Sequence, residues 1–493
     1  MDRGNHIKKD GLKKELKKRQ MDMIAIGGTI GAGLFLTIGS AISQSGPGGA
    51  VLSYLFMGIV VYFMMTSLIE MAAICPVPGA YKEYPRRFVD PALGFANGWN
   101  SWFGCAITIA AEIVACVILV KYWFPNTSSI MWAAFFLLVM MLLNLFSIRN
   151  FGECEFWLSG IKVVAVIAFI IIGVILILGG FGNSSPGLSN WILDGGSQGH
   201  APFVGGPASV ISACLVAGFS FCNVELVGIS AAESEDAARD VPRTIRSVFG
   251  TIFFFYIVAV IIVATLIPFT DPNLLNADVD NVAASPFVII FQTAGMKAAA
   301  DIMNIVIITA LLSAGNATMY ATVRMLYSMG QTGDAPAYFA KLNRNGIPVR
   351  ATVGTALVGM LAFLTSVLGE GRVYTACYSL AGISTFFNWL ALAWSHYRFR
   401  KAYLAQGKRL EDLPYRAKFY PFAPIFTIIM CVTVIFGAST WVFEEFNWFD
   451  FVTNYGLIPI YLFIYFGYKK IYHTNFVKFE ECDFTVDENL HEL

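Results

Sequence analysis

The sequence predicts an all-α polytopic membrane protein with 12 transmembrane helices, and three observations carry that prediction. Apolar stretches near the length that crosses a bilayer, about 20 residues, recur along the whole chain. Of 493 residues, 57% are hydrophobic and 13% charged, with a mean hydropathy of +0.64. Soluble domains carry about 25% charged residues, so half of the usual solubilising charge is missing. The connecting stretches alternate between basic and nearly cation-free. A chain this long would suggest three soluble domains, but the repeated spans make it one membrane unit.

In order, the hydropathy places spans near 21–44, 49–74, 93–121, 130–148, 156–179, 208–231, 247–268, 298–326, 351–368, 374–396, 422–443 and 451–468. One set of connections is basic: Lys8 to Arg19, then Lys82, Arg86 and Arg87, Arg149, Arg239 to Arg246, Arg324 to Arg350, and Arg398 to Lys418. The opposite set holds only Lys121, Lys297 and Arg372 as cations, among Gly-, Ser- and Asn-rich or acidic runs. The positive-inside rule then puts both termini in the cytoplasm, in agreement with an even number of spans. The N-terminus is basic, the first span is too long for a signal peptide, and no small-residue cleavage site follows it, so no cleavable leader is expected.

Two spans are broken. Span 1 contains Gly27-Gly28-Thr29-Ile30-Gly31-Ala32-Gly33, and span 6 contains Gly218-Phe219-Ser220-Phe221-Cys222-Asn223. Glycine costs a helix interior about 1 kcal/mol against alanine, and unwound backbone survives at membrane depth only where it lines a protein cavity. Close packing of helices through small residues is the alternative use of these glycines. Span 1 starts from the cytoplasm and span 6 from outside, so spans 1–5 and 6–10 would be inverted repeats with antiparallel breaks at the midplane. Free N–H groups at a break suit a carboxylate, and free carbonyls suit an ammonium or a cation. That geometry leans towards a zwitterionic solute.

Ionisable residues within spans form the next layer, since each is expensive at membrane depth. Glu225 follows the second break by two residues and would meet a cationic substrate, hold a proton or brace the unwound backbone. Glu112 lies well inside span 3, as a cavity wall or a structural pair. Glu70, near the end of span 2, should reach water. Lys162 stands about six residues into span 5, roughly 9 Å at 1.5 Å per residue. It either snorkels, pairs with Glu155, or turns inward, where it would gain and lose a proton in each transport cycle. Glu233 starts a charged cytoplasmic loop and is placed to gate the inner mouth. Ser313 belongs to a small, polar patch in span 8.

Other chemistry finds little support. The nine cysteines are scattered without a C-x-x-C pair. The five histidines, His396 among them, fall in loops or at span ends, so neither a zinc site nor a histidine relay is expected. No phosphate-binding G-x-x-x-x-G-K-[ST] occurs, and ATP-driven pumping has no basis. No catalytic residues, metal, cofactor or nucleic-acid partner is expected; the partners would be the solute and membrane lipid. Monomer and homo-oligomer fit the sequence equally.

The stretch Met23 to Phe35 resembles the opening signature of amino-acid permeases in the amino acid–polyamine–organocation superfamily. So do Gly218-Phe219-Ser220-Phe221 with Glu225 to Ile229, and Ala232-Glu233-Ser234-Glu235-Asp236. Phe88 to Ala96, Leu312 to Asn316, Ser395 to Arg400, Leu413 to Arg416 and Phe466 to Lys470 look most like the bacterial lysine-permease subgroup. The likeness spans residues 12 to 480. It implies a LeuT-like fold of two inverted five-helix repeats plus two helices, within a bacterial cytoplasmic membrane. The segments would be a tail at 1–20, repeats at 21–180 and 208–398, helices 11 and 12 at 422–470, and a tail at 471–493.

The resemblance implies proton-coupled import of an amino acid, lysine or another basic one, driven by the proton gradient. It implies substrate contacts at Thr29, Gly31, Ala32, Gly33, Phe219, Ser220, Cys222, Glu225 and Glu112. The N–H groups of Ala32 and Gly33 would hold the carboxylate. The carbonyls of Thr29 and Phe219 would hold the ammonium, with the Phe219 ring as a gate. Coupling or gating would fall to Lys162, close to Ser313, and to Glu233. Two departures bear on specificity: the lysine subgroup has aspartate at the position of Glu112, and Gln-Gly-Thr in place of Cys222-Asn223-Val224. A permease for neutral or a broad range of amino acids therefore stays open, as does an exchanger.

Overall fold

The computed structural model describes residues 29–75, 77, 79–145, 148–182, 185–222, 224, 237–274, 285–343, 346–443 and 446–485. Gly27, Gly28, Asn223, Glu225 and Glu233 lie outside them. The helices are α1 (Ala32–Phe35), α2 (Thr37–Ile74), α3 (Ala80–Phe88), α4 (Pro91–Lys121), α5 (Ser129–Asn144), α6 (Ile148–Ile177), α7 (Gly206–Ser220) and α8 (Ala237–Leu266). They continue as α9 (Pro286–Thr293), α10 (Lys297–Gln331), α11 (Val349–Gly359), α12 (Thr365–Leu368), α13 (Glu370–Ala405), α14 (Phe422–Gly437), α15 (Trp448–Tyr455) and α16 (Leu457–Tyr472).

Seven helices among the described residues are long and apolar enough to cross a membrane, or up to eight if the pair α15 and α16, bent by 47°, is one span. Helices α5, α7 and α14 are apolar but shorter. Multi-pass membrane architecture follows. Local chemistry sets the ends. Asp90 caps α4 by accepting from the Ala92 N–H at 2.9 Å, with Pro91 in the first turn, where its missing N–H costs nothing. Helix α2 is broken at Gly46 (φ 74°, ψ 174°), directly before Pro47. A side chain there would be strained, and its Cβ would sit 2.8 Å from the Pro202 carbonyl oxygen.

Helices α11 to α14 run near the spans predicted at 351–368, 374–396 and 422–443, but α13 continues nine residues past the predicted end at His396. His396 is fully buried within that helix, so the expectation of a span-end histidine is corrected. Glu70, expected to reach water, is also fully buried: Arg400 of α13 donates to both its oxygens at 2.5 and 2.6 Å, and the Ala417 N–H donates at 2.6 Å. The ion pair needs partners 330 residues apart, which local sequence cannot display.

Helix α2 packs against α7 and α8, while α4 packs against α10 and α13. Helices α4 and α13 form the centre, with 89% of their apolar windows buried, whereas the window at Glu155–Ile177 of α6 is only 33% buried. The functional residues gather between these sets.

Candidate functional site

The first break opens at Gly31, whose backbone is extended, and α1 starts directly after it. The second opens where α7 ends at Ser220, followed by turns at Phe221 and Cys222. The two breaks touch. A Cβ on Gly33 would lie 2.5 Å from Ser220 Cα, so glycine is required by close backbone approach. Ser220 Oγ donates to the Gly33 carbonyl at 2.8 Å, and its oxygen also meets Thr37 Oγ1 and the Tyr54 hydroxyl, each at 2.8 Å. Tyr256 of α8 spans both breaks, its hydroxyl reaching the Ser220 carbonyl at 2.8 Å and the Thr29 carbonyl at 3.0 Å. Unwound carbonyls are thereby satisfied without closing the helices.

Glu112 of α4 meets the first break end-on. The Ala32 N–H donates to both carboxylate oxygens, at 3.1 and 3.2 Å, and a Cβ on Gly31 would collide with the same carboxylate. An acidic side chain thus sits on the exposed N–H of the half-helix that follows the break, where backbone dipoles favour its ionised form. Phe219 is buried with its ring 6.0 Å from that of Tyr378, and Cys222 Sγ contacts Thr385 Oγ1 of α13.

Beyond Glu112 lies a second polar layer. Lys162 and Glu155 of α6 are both fully buried, although Trp157 and Val164 on the opposite side of α6 are 69% and 67% exposed. Lys162 therefore faces inward and does not snorkel. Its charge acts on both Glu155 and Glu112. Ser313 and Asn316 of α10 donate to the two oxygens of Glu155, Asn316 at 2.9 Å, and Asn144 of α5 donates to the Asn316 side-chain oxygen at 2.7 Å.

The sequence profile of the amino acid permease family matches residues 20–481. The chain belongs to that family. It is 48% identical over 477 residues to the lysine-specific permease LysP of Escherichia coli, covering 96% of each chain. It is 42% identical over 472 residues to the histidine permease HisP of Lactococcus lactis, covering 96% of this chain and 98% of that one. With the lysine-specific permease of Saccharomyces cerevisiae it shares 33% over 491 residues, covering 98% and 80%.

Of the residues singled out from the sequence, the permease brings Thr29, Gly31, Ala32, Gly33, Ser220 and Glu112 around the joined breaks, with Phe219 and Cys222 beside them. Lys162 and Ser313 belong to the second layer, where Ser313 donates to Glu155. Tyr54, Tyr256 and Thr385 had no place in the sequence reading of the site, and Glu155 entered it only as a pairing partner of Lys162. Tyr256 ends the run Phe253-Phe254-Phe255, which reads as uniform apolar wall. The signal that gave Glu155 this pairing role is its position seven residues before Lys162, on one helix face.

Proposed function

We propose that this permease imports lysine or another basic amino acid together with a proton, by alternating access. The carrying observation is the Ala32 N–H bound by the Glu112 carboxylate. A half-helix terminus that already receives a protein carboxylate has the chemistry for a substrate carboxylate, which would compete for the same donor. The carbonyls of Thr29 and Phe219 would take the ammonium. Glu225, outside the described residues, would face the cationic side chain, and Glu233 would gate the inner mouth. The lysine-specific and histidine permeases among the relatives support a basic substrate. The buried Lys162, flanked by two carboxylates, supports proton coupling.

The architecture we infer is LeuT-like: inverted repeats at 21–180 and 208–398, two helices at 422–470, and cytoplasmic tails at 1–20 and 471–493. The break of α2 at Gly46 supports two crossings there, and with the shorter apolar helices and the bent pair the count reaches 12. The packing supports a repeat. The first two spans of one half pack on the first two of the other, and the third spans of the halves pack together. Cys222 is small and uncharged where the lysine subgroup has a longer amide, which favours a broad or neutral permease as the second reading.

A thermal-shift screen of the purified protein against the common amino acids tests the assignment. Lysine, arginine or histidine should stabilise it most, by about 2.7 kcal/mol at a hundredfold excess over Kd. Stabilisation by neutral amino acids alone would overturn the basic-substrate reading.

A further inference from the structure

Proton symport requires a route by which the proton leaves the central site, and α6 carries a set of buried groups that the substrate site does not use. Glu155, Ser159 and Lys162 recur at helical spacing, so they share one face, and all three are fully buried. Ser159 Oγ has no hydrogen-bond partner among the described residues. It stands between the two charged groups on that face, whose backbone positions are about 10 Å apart along the helix axis. By the loop charges, Glu155 lies on the cytoplasmic side of Lys162.

The surroundings of Glu155 fit both protonation states. Asn316 Nδ2 donates to one carboxylate oxygen in either state, and Asn144 fixes that amide by donating to its oxygen. Ser313 Oγ faces the other oxygen. A hydroxyl can donate to a carboxylate and can rotate to accept from a carboxylic acid. A structural brace would need only donors; this one includes a group that reverses. Among the described residues, the charged and polar groups acting on Glu155 are Lys162 on α6 itself and Ser313 and Asn316 from α10. Glu112 of α4 acts on Lys162 from the other side.

We infer that Glu155 is the inner proton acceptor of this permease, receiving the proton from Lys162 by way of the Ser159 hydroxyl and passing it to cytoplasmic water. In the step, an N–H bond of the Lys162 ammonium breaks and an O–H bond forms on Glu155. The ammonium and the carboxylate become a neutral amine and a carboxylic acid, so no net charge is created inside the membrane. The acid then releases the proton inward. This rests on the symport reading above.

The test uses purified protein in proteoliposomes, comparing accumulation under an inward proton gradient with counterflow of labelled lysine at equal pH. Counterflow returns the carrier loaded and needs no proton release. Glu155→Gln should cut gradient-driven accumulation by about tenfold or more while counterflow stays within about twofold, and Glu155→Asp should restore part of the accumulation. Ser159→Ala removes no side-chain hydrogen bond to a described residue, so it should fold normally and still slow accumulation with counterflow intact. Parent-like accumulation in Glu155→Gln or in Ser159→Ala would overturn the relay, and equal loss of counterflow would reduce Glu155 to a brace. If the parent itself ignores the gradient, the symport reading fails first, and these outcomes tell the two failures apart.

Discussion

Gly33 and Glu112 do different work at one place. Gly33 lets two backbones meet, because nothing larger fits beside Ser220 Cα. Glu112 supplies the acceptor for the N–H that this meeting leaves exposed. Gly33→Ala should therefore cost about 1–3 kcal/mol of stability through overpacking against backbone that cannot yield, and lower transport more than it lowers expression. A melting curve with a substrate-binding isotherm checks this; unchanged binding in Gly33→Ala would mean that the breaks separate easily. The first break was legible in the sequence because several glycines so close together are costly in a helix, whereas Gly218 lies inside α7 and serves close packing against the Phe386 ring. The identity of the group on Ala32 was not legible, since Glu112 comes from a helix 80 residues away.

At the scale of elements, α3 is tied to the loop after α10. Lys82 and Arg86 donate to Asp334, in the loop after α10, at 2.6 and 2.7 Å, and Trp99 Nε1 donates to the Asp334 carbonyl at 3.0 Å. Burial alone would raise the Asp334 carboxyl, but the Lys82 hydrogen bond and the charges of Lys82 and Arg86 hold it below the usual aspartate value. A lowered carboxyl contributes stability that is complete above the unfolded value near 3.9 and is lost as pH falls through the folded one. The latch is thus constant across the range in which transport is assayed. Asp334→Asn should cost about 1–2 kcal/mol, yet leave the pH profile of uptake above pH 5 unchanged. A displaced profile would bring Asp334 into the proton path.

Element boundaries show where sequence reading stops. Hydropathy located the spans, because a membrane core admits few alternatives. It ended the span of α13 at His396 and began that of α6 at residue 156, since charged and aromatic residues there look like interface. In the fold, Glu70 and Arg400 pair inside the protein, so their charges do not mark the membrane surface. The same misplacement left Glu155 at an apparent span end and outside the candidate site.

For the whole molecule, two packed sets of helices meet at a charged seam: α2 with α7 and α8 on one side, and α4 with α10 and α13 on the other. The breaks belong to the first set and Glu112 to the second, so the Ala32 N–H on Glu112 crosses the seam. A substrate carboxylate that displaces Glu112 would remove this bridge as it binds, which links occupancy to relative movement of the sets. Lys162 and Glu155 adjoin the same seam from α6. The most direct test of proton-coupled import is uptake of labelled lysine into proteoliposomes, with an inward proton gradient and at equal pH. Accumulation above the external concentration should appear only with the gradient. Uptake that is identical with and without it would contradict the account.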